Sequence, residues 1–131
     1  MTPKFSWRPL EHSPFYHILC RALEKYVGKA PAAMLASAYA LGDPVRLRDL
    51  FKSTGFQRIE IRVVIKQMQC PSLTDFFYGG LSASPFAKDV FALETSELEA
   101  MLDMIREGVA GYLDDSGLAA PMEAYVVSAL K

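Results

Sequence analysis

The chain has 131 residues, a formal net charge of -1 and 51% hydrophobic residues, a size that supports one compact core and not two independent ones. No run of Lys or Arg builds the basic stripe that nucleic acid or an anionic membrane requires, no apolar stretch approaches the roughly 20 residues of a membrane span, and the N-terminal MTPKFSW lacks the apolar stretch of a secretory signal. A cytoplasmic protein with no nucleic-acid and no membrane partner is therefore expected, and its excess of apolar residues suggests a surface facing a ligand or another subunit.

Three helices are expected to start on one device, a small capping residue followed by proline: Ser13-Pro14, Asp43-Pro44 and Ser84-Pro85. The first, 14–27, places Phe15, Ile18, Leu19, Ala22, Leu23 and Tyr26 on one face and ends at Gly28. An alanine-rich segment, 30–41, is read as a short second helix. Asp43 then caps a helix with Val45, Leu47, Leu50 and Phe51 as its apolar face, and Gly55 stops it.

From Arg58 the period changes to two. Ile59, Ile61, Val63 and Ile65 fall on one face, with Glu60, Arg62 and Lys66 on the other, which describes a half-buried strand over 58–70 whose charges protect a sheet edge. Pro71 ends it. Ser72 opens a short aromatic helix with Phe76, Phe77 and Tyr78, ended by Gly79-Gly80, and a second short helix covers 85–93. In the longest helix Ser96 and Glu99 form a capping box, and Leu98, Met101, Leu102, Ile105, Val109 and Tyr112 make a stripe at helical spacing. Asp114-Asp115-Ser116-Gly117 closes it as a turn.

The final strand, 122–131, is apolar on both faces apart from Glu123, so it belongs inside a sheet with a neighbour on each side. The strand from Arg58 supplies one neighbour, and periodicity offers no obvious second. The resulting fold is α+β, mostly helical with a small antiparallel sheet. Its single domain divides into N-terminal helices (1–42), a helix-strand unit (43–70), a helical segment (71–121) and the C-terminal strand (122–131).

The ordered segments WRPLEHSPFY, LGDPVRLRDLFKSTGFQRIEI, SASPFA and GYLDDSGLAAPMEAYVVSALK resemble the C-terminal half of class I S-adenosylmethionine-dependent methyltransferases, in particular small-molecule enzymes with a helical lid. In that family a seven-stranded sheet ends with a helix, a sixth strand, and a last antiparallel strand inserted between the fifth and sixth. The resemblance implies that 43–56 is the last sheet-flanking helix with its stop, 58–70 the sixth strand, 122–131 the seventh, and Phe5, Ser6 and Trp7 the end of the fifth. The family's glycine-rich turn and its acidic cofactor residue have no counterpart here, since Gly79-Gly80 follow an aromatic helix and not a strand. No cofactor-binding residue is carried over. S-adenosylmethionine is expected only where a complementary half is present, and no catalytic residue is assigned.

By the same resemblance, Trp7, Arg8, Phe15, Phe77, Tyr78 and Phe86 are candidates for the wall of an acceptor-substrate pocket under the lid. Ordinary core packing is favoured for each aromatic taken singly. His12 and His17 with Glu11 and Cys20 offer a metal set only superficially, because Glu11 and His12 precede the helix and His17 lies on its wet face. Cys20 and Cys70 form no CxxC pair and are read as buried free thiols, with no metal expected. Three functions follow as expectations: a lid and sheet-closing module that either works with a separately encoded cofactor half or is the remnant of a truncated gene, a stand-alone module binding a small hydrophobic ligand, and a self-assembling homodimer formed through an open edge of the C-terminal strand.

Overall fold

A computed structural model describes residues 4–40 and 42–130; Lys131 of the expected last strand and Leu41 of the expected second helix lie outside the described residues. The described chain is α+β, with six helices and one antiparallel sheet of four strands. In chain order the elements are strand β1 (Lys4–Trp7), helices α1 (Pro14–Tyr26), α2 (Lys29–Ser37) and α3 (Pro44–Ser53), strand β2 (Arg58–Cys70), helices α4 (Leu73–Asp75), α5 (Ala87–Phe91) and α6 (Thr95–Gly108), and strands β3 (Leu113–Asp114) and β4 (Gly117–Leu130). No described helix is long and apolar enough to cross a membrane.

The sheet order is β1-β4-β2, with β3 pairing the start of β4. The C-terminal strand does sit inside the sheet, as its two apolar faces require. It begins five residues earlier than its alternation suggests, because Leu118, Ala119, Ala120 and Pro121 continue the ladder with β2 from Cys70↔Leu118 to Gln67↔Pro121 and Gly117 pairs with Asp114 of β3. The expected open edge of this strand is corrected as well. Lys4↔Val127, Phe5↔Val126, Ser6↔Tyr125 and Trp7↔Ala124 supply its second neighbour. Both neighbours run antiparallel to β4, so β1 and β2 run parallel to each other, joined by a crossover through α1, α2 and α3.

Two cores flank this sheet at opposite ends and on opposite faces. Ile59, Ile61, Val63 and Ile65 do share a face, but only the first two pack, against Leu47, Phe51, Tyr125 and Val127 beneath α3. Val63 and Ile65 are 49% and 64% exposed, since α3 does not reach them. Further along β2 the opposite face takes over, with Met68 and Cys70 against the large helical core that includes Leu19, Leu23, Met101, Ile105, Leu118 and Ala120. On α3 only Leu47 is fully buried; Val45 and Leu50, expected on its apolar face, are exposed. Arg48 Nη1 donates to Ile59 O at 2.9 Å and ties the helix to the strand.

The helix signals act unequally. Asp43 Oδ1 accepts from Val45 N at 2.9 Å, as a cap should. At the far end of α3, Phe56 N donates to Phe51 O and Gly55 N to Lys52 O, with Gly55 at φ +95° and the Phe51 and Phe56 rings 5.4 Å apart. These paired bonds and the apolar contact make a Schellman stop. Ser13 precedes α1 but makes no capping bond. The expected capping box of Ser96 and Glu99 is absent, because α6 starts one turn position earlier, at Thr95, and Ser96 is already helical. Gly79-Gly80 do not end the aromatic helix either: they lie within a wide π turn, 76–80, that runs on into a 3₁₀ turn at Leu81–Ala83. The turn at 84–86 delays α5 until Ala87.

The hairpin between β3 and β4 rests on Asp114, whose Oδ1 accepts from Ser116 N at 2.8 Å. Gly117 follows at φ +107°, and a Cβ there would lie 2.2 Å from Cys70 O. Only glycine fits this crossing of β4 against the end of β2.

Candidate functional site

The six candidate pocket residues do not line one cavity. Phe15, Phe77 and Phe86 are 3%, 2% and 5% exposed and belong to the large helical core. Phe15 packs edge-on against Phe76 at 5.2 Å, and Phe77 against Tyr78 at 5.1 Å. Tyr78 is exposed and stacks on Phe91. Trp7 ends β1 and Arg8, bonded through its N to Glu123 O, follows it onto the opposite face of the sheet.

On one face Trp7 packs edge-on to Phe5 at 4.9 Å and leans on Tyr39 at 5.9 Å. Beside them opens a concavity of about 470 Å³ lined by Phe5, Ser6, Trp7, Ser37, Ala38 and Ala40. A second concavity, of about 400 Å³, lies at the hairpin end and is lined by polar groups including Gln67, Gln69, Asp114 and Ser116.

On the other face Arg8 meets residues that periodicity did not single out. Arg8 Nη1 donates to Glu123 Oε1 at 2.7 Å, and its guanidinium covers the Tyr125 ring at 5.5 Å from the centroid. Tyr125 first, and Glu123 after it, raise the Arg8 pKa above the ordinary arginine value against the opposing effect of burial. His12 Nδ1 stands 3.6 Å from Glu123 Oε2, so the carboxylate lies between two basic side chains. The pair has an opposite charge, a short distance and partial burial, conditions under which such a bond is stronger than an exposed ion pair. The signal available in the sequence was Glu123 itself, the single charged residue in GLAAPMEAYVVSAL.

Behind Trp7 a second polar group is buried. Ser13 is fully buried and its Oγ has no hydrogen-bond partner of acceptable geometry. The Tyr39 phenol is pushed up to about 12, first by burial and then by Tyr16, with Ser13 close enough to oppose the shift. Burial also pushes Tyr16 up.

The cysteines are free and half-buried, which corrects the expectation of full burial. Cys20 Sγ lies 3.4 Å from Ala32 O, and Cys70 Sγ 3.1 Å from Ser72 O. Burial, then Glu24, raises the Cys20 thiol and so disfavours the reactive thiolate. Among the described residues no three His, Cys, Asp or Glu side chains gather as a metal site. His17 is half-buried on α1 and Glu11 exposed.

No family model matches the chain, and no curated protein matches it.

Proposed function

We propose that this chain is the lid and sheet-closing module of a class I methyltransferase fold, which requires a complementary half to bind S-adenosylmethionine. The observation that carries the reading is the strand order. β4 lies antiparallel between β1 and β2, which are parallel to each other, the arrangement that the fifth, seventh and sixth strands of the resembled family adopt. The helix before β2 and the helical segment between β2 and β4 also fall where that family has its last flanking helix and its lid.

Under this reading the seam toward the missing half is the outer side of β1, the strand in the place of the fifth, where no described strand pairs. The chain's own contribution would be positional: the helical core holds the lid, and the Arg8–Glu123 pair fixes the turn after β1 against β4. The test is calorimetric titration of S-adenosylmethionine into the chain alone, into a separately expressed cofactor-binding half carrying the first four strands and the glycine-rich turn, and into the two combined. The expected result is no binding by the chain alone and tighter saturable binding by the combination than by the separate half. Binding by the chain alone, or a combination no better than the separate half, would overturn the reading.

A further inference from the structure

We draw no further inference here: the strongest candidate, the concavity of about 400 Å³ at the hairpin end whose polar wall includes Gln67, Gln69, Asp114 and Ser116, carries nothing, because all four of these side chains are exposed and nothing in the structure shows what fills it.

Discussion

Ser13 and Asp43 stand in the same place before a helix-starting proline, yet one caps and the other does not. Asp43→Ala should therefore cost about 1 kcal/mol of unfolding free energy in urea titrations, the usual loss for an N-cap. Ser13→Ala should be neutral or stabilising, because it removes a buried hydroxyl that has no partner; a loss as large as that of Asp43→Ala would show that Ser13 caps α1 after all. Tyr39 makes a prediction in pH. Its phenol ionises near the ordinary value of 10 in the unfolded chain and at about 12 in the fold, so its neutral form is favoured by folding. The stability it supports is fully present below pH 10 and is lost as pH rises from about 10 toward 12. Tyr39→Phe should flatten that part of the stability profile, measured by denaturant titration between pH 9 and 11.5, and Tyr16, shifted the same way by burial, should account for part of what remains.

At the scale of elements, α3 shows how far periodicity carries. Its start, its glycine stop and the strand that follows were legible, because caps, Schellman glycines and a change of period are local chemistry. Which apolar residues it buries was not. Val45, Leu47, Leu50 and Phe51 all satisfy a helical spacing, but the sheet beneath is narrow and only Leu47 is fully covered. Leu47→Ala should cost about 2–5 kcal/mol through the cavity it leaves beside Tyr125 and Val127. Leu50→Gln should stay within about 0.5 kcal/mol. Thermal unfolding of the two variants checks this, and equal losses would mean that Leu50 is buried by something the chain itself does not supply. The early start of β4 was missed for a related reason: Ala119, Ala120 and Pro121 have weak strand preference, and their pairing is imposed by the long partner β2.

At the scale of the whole molecule, the candidate site separated into parts that sequence alone could not sort. Phe15, Phe77 and Phe86 entered the core, Tyr78 stayed exposed, and Trp7 and Arg8 went to opposite faces of one strand. Aromatic spacing is the same for a core and for a pocket wall, so no local pattern distinguishes them. Glu123 acquired its meaning only through Arg8, 115 residues away in the chain.

The sequence by itself determined the helices α1, α3 and α6, the Asp43 and Gly55 boundaries of α3, the length of β2 and the central position of the C-terminal strand, since each follows from spacing or from one residue's local chemistry. Spacing offered no second neighbour for β4 and only the resemblance placed Phe5, Ser6 and Trp7 there; the tertiary structure decided the pairing and its register, Lys4↔Val127 to Trp7↔Ala124. Four residues, Lys4–Trp7, carry too short an alternation to announce a strand; they become one because β4, apolar on both faces, offers them a ladder. β4 is thereby paired on both sides, and among the described residues the unpaired sides of the sheet are the outer sides of β1 and β2.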